Sequence, residues 1–506
     1  MARQSLRVAW AGHWPRGDWD LLNDCKIQPI VEVMLNSALE KKQPSLLRRL
    51  TIFPWPEIIL LSLVAASLLF VKLRQPACFD VATFDAGIYG RLIWNIAHGQ
   101  GYHGAVGDQN HLGEHFSPIV ILLAPFCRIW HPVSVLMAAQ AIAFISMLVL
   151  LLLLARDILK DLTELPRRLL AGGIVLMCLV AKPTMSALWF EFHPSTLGMP
   201  LVVGIVLLLR KGRIGWVWML VPLLLATKEL GPISLGGIAI YAWLVLGRWR
   251  LALALAFTAA ISSALIVGVI MPWARDGQHW AHATRIGVWQ HIPQKAAYLG
   301  WLLAGTGFLP ILGWRSLLAA APTTLLNLVV AYEPQFSLHF HYDDQNSMFW
   351  FIAALHGIRE MSRLLSVCRV PAKTAWVPRA YIVLAIAALC FYARGRDPIT
   401  EIQRSLRVPW AADLRRELAP FWRQPDEVRI ITQNGFGAHF CDRRRLLVVL
   451  YKDQSVDLRP GDIIILSPLV QRQEVDIERL IAQYDRDEHC QVLHATRRLK
   501  VYRVTR

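Results

Sequence analysis

Long apolar segments recur along the chain from residue 57 to residue 393, and they constrain the fold more than any other feature. A stretch of about 18 or more predominantly apolar residues can cross a membrane as a helix. The segments predicted to span the membrane are Glu57–Leu73, 133–155, 169–187, 196–210, 214–226, 232–247, 251–272, 296–313, 316–332, 346–362 and 379–393. The shorter segment 117–130 is interpreted as a re-entrant or interfacial piece. The sequence therefore predicts an α-helical polytopic membrane protein with about 11 transmembrane helices.

Charge and composition support this class and predict an orientation. Charged residues make up 18% of the chain, against about 25% in soluble domains, which argues against a cytosolic enzyme, a disordered protein or a fibrous repeat. The 53 basic residues outnumber the 36 acidic ones, and they gather in alternate loops. Because basic loops stay on the cytoplasmic side, we expect a cytoplasmic N-terminus, acidic loops outside, and no nucleic-acid partner. The predicted location is the cell inner (plasma) membrane.

The chain divides into three predicted regions. Residues 1–50 are polar and are predicted to be a cytoplasmic N-terminal extension. Residues 51–393 form the predicted transmembrane domain, with a long first outer loop at 74–132. Residues 394–506 are richer in charge and are predicted to form a small extracytoplasmic α/β domain. Its predicted strands and helix are, in order, Val428–Thr432, Leu446–Tyr451, Ile463–Ser467, the helix Glu474–Tyr484, Gln491–His494 and Leu499–Val504.

Two of the eight cysteines, Cys441 and Cys490, lie in the predicted α/β domain. In an oxidising compartment they could form a disulfide, or they could be two unpaired core residues. No CxxC pair occurs in the sequence, so neither a zinc ribbon nor a dense disulfide scaffold is indicated.

The first outer loop is the richest in unusual polar residues. Asp85 is followed by Ile88, Leu92 and Ile96, and apolar residues three and four apart predict an amphipathic helix along the membrane surface. Asp85 could be the N-cap of this helix. It could instead be a general base, which needs a carboxylate within hydrogen-bond reach of an acceptor hydroxyl.

The same loop contains the pattern H-x-x-E-H at His111, Glu114 and His115. In inverted zinc peptidases this pattern lies on a helix, where both histidines bind zinc and the glutamate is the base. Here Gly113 lies inside the pattern and Pro118 follows it, which makes that helix doubtful. A polar cluster that contacts an anionic substrate is the favoured interpretation.

Further polar residues lie in other predicted outer loops, and a convergence of these loops would form a cavity for a charged, partly lipidic ligand. Lys228 and Glu229 end a span, where Lys228 could be functional or could only snorkel to the surface. His339 and His341 alternate as in an extended segment, so both are expected to point to one side. The residues predicted to contact substrate are His111, Glu114, His115, Glu191, His193, Lys228, Glu229, Arg285, His339, His341 and Tyr342.

Five short motifs in the same order carry a family resemblance: FDAGIYGRLIWN from Phe84, His115–Pro118, Glu191–Pro194, Lys228-Glu229 and His339–Tyr342. Together they resemble a family of prokaryotic multispanning membrane proteins described as a domain of unknown function. That family in turn is similar to the GT-C glycosyltransferases, which include protein O-mannosyltransferases and lipid A aminoarabinose transferases. The resemblance extends from about Thr51 to the C-terminus and leaves residues 1–50 outside.

The resemblance implies a GT-C-like fold and an activity. GT-C enzymes take a sugar from a polyprenyl-phosphate carrier and transfer it on the outer side, with an acidic catalytic residue in the first outer loop. Asp85 matches that residue best, and Asp80 is the second choice. Lys228 and Arg285 are candidate contacts to the donor phosphate on physical grounds. The resemblance leaves open whether the reaction needs a divalent metal ion, because some relatives have a paired acidic motif where this chain has Asp85 alone.

The leading hypothesis is therefore a membrane glycosyltransferase of the GT-C type that uses a polyprenyl-phosphate sugar. Its acceptor could be a glycan, a lipid or a protein. The alternative is a non-enzymatic transporter or flippase of lipid-linked intermediates, which intramembrane charges and inverted repeats would favour. A zinc metallopeptidase is the third hypothesis, and it depends on His111 and His115.

Overall fold

A computed structural model of the protein describes residues 55–104, 110–276, 286–367, 408–449, 454, 456–470 and 475–506. The chain divides into two compact units, residues 1–62 and residues 63–506. The predicted N-terminal extension 1–50, the predicted span 379–393 and Arg285 lie outside the described residues.

Helices account for most of the chain up to residue 367. They are α1 (Trp55–Ala77), α2 (Ile88–Ala97), α3 (Pro132–Ile158), α4 (Glu164–Val180), α5 (Lys182–Trp189), α6 (Gly198–Arg210), α7 (Ile214–Leu225), α8 (Gly231–Leu244), α9 (Trp249–Leu265), α10 (Met271–Ala274), α11 (Ile292–Gly305), α12 (Leu309–Leu312), α13 (Trp314–Leu317), α14 (Ala321–Val329) and α15 (Asp344–Val367). Shorter turns of 3₁₀ or π type lie at Thr83–Gly87, His111–Gly113, Pro118–Arg128, Pro194–Leu197, Ile266–Ile270, Leu318–Ala320 and Glu333–Phe336.

Fewer helices are long enough to span a membrane than the sequence predicts. Among the described residues, α3 and the continuous helical run Trp249–Ala274 are long and apolar enough, and the bent pair α4–α5 adds a third if it is one span. Several predicted spans are interrupted. The segment 296–313, for example, breaks between α11 and α12, where Gly307 and Phe308 adopt left-handed backbone conformations. By length and composition, two or three helices of the described residues could span a membrane, against about 11 predicted from the sequence.

Exposed apolar side chains on the longest helices agree with a lipid environment. On the run Trp249–Ala274, Leu253, Phe257 and Trp273 are each more than half exposed. A soluble protein rarely exposes such a row of large apolar side chains, whereas lipid tails are as apolar as these side chains.

The end of α5, the second helix of the bent pair α4–α5, is stabilised by buried polar side chains from other helices. The two helices meet at 56°, and the carbonyl groups at the end of α5 have no partner within the helix. The ammonium group of Lys72 donates to the carbonyl oxygens of Leu188 at 2.9 Å and Phe190 at 3.0 Å. Gln140 donates to the carbonyl oxygen of Ala187 at 2.9 Å. These bonds fix the end of α5, and with it the segment that follows.

Residues 408–506 contain a five-stranded mixed sheet, as the sequence predicts. Its elements are α16 (Pro409–Trp422), β1 (Ile430–Gln433), α17 (Asn434–Gly437), β2 (Leu446–Val449), β3 (Ile463–Leu466), α18 (Ile477–Asp485), β4 (Cys490–Ala495) and β5 (Lys500–Val504). The strand order is β2-β1-β3-β5-β4; β1 is parallel to β2 and β3, and β5 is antiparallel to β3 and β4. Helix α16 packs on one face, through Leu414 and Leu418, and α18 packs on the other, through Ile477 and Tyr484.

The two cysteines of this region do not form a disulfide. Cys441 and Cys490 are both free and buried. Cys441 belongs to the cluster around α2 and α3, whereas Cys490 packs on the α18 face of the sheet. The interpretation as two unpaired core residues is therefore the correct one.

Close backbone contact between α12 and α15 depends on glycine and gives a first prediction. A Cβ atom on Gly357 would lie 2.0 Å from the carbonyl oxygen of Leu309, which backbone geometry fixes. We expect Gly357→Ala to lower the free energy of unfolding by about 1–3 kcal/mol through overpacking. The matched control is Gly300→Ala in α11, where a Cβ would meet open space. Thermal unfolding in nanodiscs measures both variants, and equal midpoints would contradict the close contact.

Candidate functional site

Asp85 lies in a strained turn rather than at a helix cap. The π-type turn Thr83–Gly87 precedes α2, and Asp85 within it has φ 65°, in the left-handed region. No side-chain bond caps α2, which excludes the N-cap interpretation. A residue with a Cβ in such a conformation costs about 1 kcal/mol or more and persists only where its surroundings hold it.

The carboxylate of Glu191 holds this turn. Its Oε1 accepts from the backbone N–H of Ala82 at 2.9 Å, and its Oε2 accepts from that of Ala86 at 3.2 Å. The two amides flank Asp85 on either side. Charge-assisted bonds of this kind are roughly twice as strong as neutral ones. Glu191 follows the anchored end of α5, so the bonds from Lys72 and Gln140 support the position of Asp85.

The amphipathic helix predicted after Asp85 is confirmed as α2, but its apolar face is buried in protein. Tyr89, Leu92 and Ile93 are each at most 2% exposed. They pack in one cluster with Val133 of α3 and with Cys441. The apolar face of α2 is therefore covered by the protein itself, and the position of the helix along the membrane surface stays a prediction.

His193 joins Asp85 to a second histidine. Its Nε2 lies 3.1 Å from Oδ1 of Asp85, and its Nδ1 lies 3.3 Å from the carbonyl oxygen of Glu191. Only a doubly protonated imidazole can donate to both of these acceptors. The ring stacks on His341, with 3.2 Å between the ring centroids. The Asp85 carboxylate, the His193 imidazole and the His341 imidazole thus form one column.

The pKa values of this column move in opposite directions. Burial raises the pKa of Asp85, but His193, Lys228 and His115 outweigh it and hold the pKa below its usual value. Burial lowers the pKa of His341 well below its usual value, and the neighbouring His193, Lys228 and His115 lower it further. We therefore describe Asp85 as ionised and His341 as neutral near pH 7.

His341 has unused hydrogen-bonding capacity. Its side chain is buried, and neither ring nitrogen has a hydrogen-bond partner among the residues that the structure describes. His339, by contrast, is exposed and lies 3.2 Å from the ammonium of Lys182. The expectation that both histidines point to one side is wrong, because the segment turns at this point instead of running extended.

Lys228 is a buried cation beside this column. Its side chain is 4% exposed, so it does not snorkel to the surface. The ammonium lies 5.6 Å from the centre of the Tyr342 ring, a cation–π contact. In the described ranges it donates no hydrogen bond and forms no ion pair. A buried ammonium without a direct anionic partner is costly and indicates a place for an anionic ligand.

Glu229 pairs with the first outer loop instead of with Lys228. Its carboxylate lies 3.1 Å from Nδ1 of His115 and accepts from the backbone N–H of Phe116 at 3.2 Å. Burial raises the pKa of Glu229, but His115 and Lys228 together lower it to about 2. Glu229 thus joins the start of α8 to the loop that carries the H-x-x-E-H pattern.

The H-x-x-E-H pattern does not form the helix that a zinc peptidase needs. His111–Gly113 is a short 3₁₀ turn. His111 is buried against the ring of Tyr89, and its Nδ1 lies 3.8 Å from Oε2 of Glu114. No group of three or more His, Cys, Asp or Glu side chains that could hold a metal ion occurs in the described part of the chain.

The second catalytic candidate, Asp80, lies just after the end of α1. Its backbone N–H donates to the carbonyl oxygen of Gln75 at 2.8 Å. The contact to His193 is made by Asp85. Arg285, the second predicted phosphate contact, lies outside the described residues.

The sequence did not predict a role for Tyr89, which lies in the site, or for Asp343, a buried carboxyl next to Tyr342 in the chain. Tyr89 is buried between His111 and Phe192, and its ring centre lies 6.2 Å from that of His193. Asp343 accepts hydrogen bonds from Tyr298 at 2.6 Å and from Asn346 at 2.9 Å. Burial raises its pKa to about 7 despite these donors. Two consecutive aspartates, Asp343 and Asp344, follow the segment His339–Tyr342, and this pair could have pointed to Asp343 in the sequence.

The sequence matches the family described as "Predicted membrane protein (DUF2079)" over residues 77–482, so the chain belongs to this family. The predicted family resemblance is thereby confirmed. The comparison with curated proteins gives no match.

Among solved structures, the fold is similar to that of ArnT from Cupriavidus metallidurans, determined with undecaprenyl phosphate bound. The TM-score is 0.52 and the sequence identity 13%, and the match covers 89% of this chain and 98% of the ArnT chain. At this identity the likeness concerns the fold. A membrane protein of mainly helical, ArnT-like fold with a small C-terminal sheet agrees with the predicted fold class.

The Glu229–His115 pair predicts how stability depends on pH. The pKa of Glu229 is about 2 in the folded protein, against a usual value of 4.5 that we take for the unfolded chain. The ionised carboxylate therefore adds to the free energy of unfolding above pH 4.5, and this contribution is lost as the pH falls towards 2. We expect Glu229→Gln to cost about 3 kcal/mol at neutral pH and about 1 kcal/mol near pH 3. Unfolding midpoints in nanodiscs measure this difference.

The matched control is Glu114→Gln, because the carboxylate of Glu114 is 37% exposed and lies 3.8 Å from its histidine. Exposed pairs contribute about 0–1 kcal/mol. A cost of Glu229→Gln that does not change with pH would contradict the ion pair.

Proposed function

We propose that this chain is a membrane glycosyltransferase of the GT-C type, which transfers a sugar from a polyprenyl-phosphate carrier to an acceptor on the extracytoplasmic face. The observation that carries the proposal is the buried cation Lys228 beside a carboxylate, Asp85, that its surroundings hold in a strained turn. The likeness of the fold to ArnT, whose structure contains undecaprenyl phosphate, supports the donor class.

Asp85 supplies the base for this reaction. The acceptor hydroxyl donates a hydrogen bond to the Asp85 carboxylate, and its oxygen attacks the anomeric carbon of the donor sugar. As that bond forms, the bond from the anomeric carbon to the phosphate oxygen breaks, and the hydroxyl proton passes to Asp85. A single displacement of this kind inverts the anomeric carbon. His193 holds the carboxylate in place through its bond at 3.1 Å.

Lys228 stabilises the leaving group. The departing polyprenyl phosphate takes the electron pair of the broken bond and gains negative charge. A cation fixed in a largely water-free site stabilises this charge much more than the same cation does in water. The neutral His341 can donate one N–H hydrogen bond to the phosphate, because neither of its ring nitrogens has a hydrogen-bond partner among the described residues. The C-terminal sheet domain is proposed to bind or orient the acceptor.

The substitution Asp85→Asn tests the base. The purified protein in nanodiscs is assayed with a panel of radiolabelled polyprenyl-phosphate sugars, and transfer and hydrolysis are both counted. Removal of a general base is expected to lower kcat by about 10²–10⁴-fold. The matched control is Asp80→Asn, which removes a carboxylate from the same loop but leaves the His193 contact intact.

Three results would count against the proposal. Equal activity of wild type and Asp85→Asn would remove Asp85 from the chemistry. Loss of activity in Asp80→Asn alone would transfer the role to Asp80. No turnover by wild type with a panel that includes the native carrier, combined with movement of the intact lipid across the bilayer, would favour a flippase.

The substitution Lys228→Met tests the phosphate contact. Met keeps most of the apolar volume of Lys and removes the charge, so the fold should persist. We expect kcat/KM for the donor to fall by about 10²–10³-fold. The control is Lys211→Met, which removes an exposed lysine that is paired with Asp157. An unchanged kcat/KM in folded Lys228→Met would contradict the role of Lys228.

A further inference from the structure

We propose that Asn434, in the C-terminal sheet domain, is a positioning residue for Asp85. The domain then completes the strained turn in addition to any contact that it makes with an acceptor. This inference rests on the proposed function in so far as Asp85 is the base there. The geometry behind it does not depend on that role.

Two hydrogen bonds join Asn434 to the turn. Its side-chain Oδ1 accepts from the backbone N–H of Thr83 at 3.0 Å. Its backbone oxygen accepts from the hydroxyl of Thr83 at 2.9 Å. Thr83 is 0% exposed and Asn434 is 5% exposed, so water cannot replace either bond. Loss of one partner would leave a buried polar group unsatisfied.

The backbones at this junction are too close for larger side chains. A Cβ atom on Gly437 would lie 2.0 Å from the hydroxyl oxygen of Thr83. A Cβ atom on Gly87, at the end of the turn, would lie 3.3 Å from the Cα of Ala438. The short helix α17 and the segment after it therefore fit directly against the turn that carries Asp85.

Two further anchors bracket the turn. Before it, the ring of Phe79 lies in the core of the sheet domain, with its centre 5.4 Å from Phe436 and 4.7 Å from His439. After it, the guanidinium of Arg91 donates to the carbonyl oxygens of Cys441, Arg443 and Arg444. The sheet domain thus holds the chain on both sides of Asp85.

The turn therefore has two independent supports. Glu191 satisfies the amides of Ala82 and Ala86, and Asn434 satisfies that of Thr83, which follows Ala82. A left-handed Asp85 needs all three, because a freed amide allows the turn to relax towards ordinary right-handed geometry. Relaxation would move the Asp85 carboxylate away from His193.

Hydrogen exchange of the full-length protein in nanodiscs tests this inference without an activity assay. In Asn434→Ala we expect amide exchange in a peptide covering residues 80–90 to accelerate by about 3–10-fold, as for loss of one buried hydrogen bond. Asn434→Asp keeps an acceptor oxygen and is expected to restore protection. The control is Gln433→Ala, because Gln433 bonds within the sheet domain, to Ser467 and Val470, and not to the turn.

Activity gives a second readout. Asn434→Ala is expected to lower kcat by about tenfold with little change in the KM for the donor, because it displaces the base and not the phosphate contact. In Asn434→Asp the added charge should raise the pKa of Asp85 and shift the acidic limb of the pH–rate profile upward.

Unchanged exchange at residues 80–90 in folded Asn434→Ala would overturn the inference. Equal acceleration in Gln433→Ala would also overturn it, since the effect would then be general loosening of the domain. If wild type shows no transferase activity, the proposed function fails, but the exchange result still decides whether Asn434 holds the turn.

Discussion

Polar groups at the breaks between apolar helices must find partners inside the protein, and the rest of the structure depends on this constraint. In apolar surroundings an unpaired backbone group costs several kcal/mol. Lys72 and Gln140 satisfy the carbonyls where α5 ends. Glu191 then satisfies the amides of the Asp85 turn. Both of these segments are fixed by side chains from distant elements, so they become rigid points at which reactive side chains can be placed.

This constraint explains how a strained aspartate can be stable. The left-handed backbone of Asp85 is unfavourable by itself. Its neighbours on both sides donate hydrogen bonds to Glu191, and the fold would lose those charge-assisted bonds if the turn relaxed. Strain of this kind occurs at sites where geometry matters more than local stability. The turn, more than the carboxylate alone, therefore marks the site.

Local patterns predicted the local structure. The spacing after Asp85 predicted α2, and the short apolar runs after residue 428 predicted all five strands of the sheet. The pairing of Asp85 with His193, and of Glu229 with His115, joins segments far apart in the chain, and a single sequence holds no direct signal for it. Asn434 was missed for the same reason, because it lies 351 positions after Thr83, the residue that it contacts.

Where the structure departs from the predictions, the causes are local. The predicted spans are met in part within the described residues, because glycine and left-handed residues interrupt apolar segments that hydropathy reads as continuous, as at Gly307 and Phe308. His339 and His341 do not point to one side, because the segment bends at Leu338–Phe340. Side chains alternate between two sides only where the chain runs extended. The H-x-x-E-H pattern, for which Gly113 made a helix doubtful, forms a short 3₁₀ turn.

The distribution of charge favours an anionic ligand over a cationic one. Asp85 and Glu229 each contact a histidine, and each has a lowered pKa. Lys228 is a cation left without a direct partner in the described structure, and the neighbouring His341 has no hydrogen-bond partner there. A cationic ligand would add repulsion from Lys228, whereas a phosphate would supply the missing acceptor for its ammonium. The same phosphate, bound beside Asp85, would place the donor sugar next to the carboxylate. The charge of Lys228 and the strained turn that holds Asp85 would then act on the same bond.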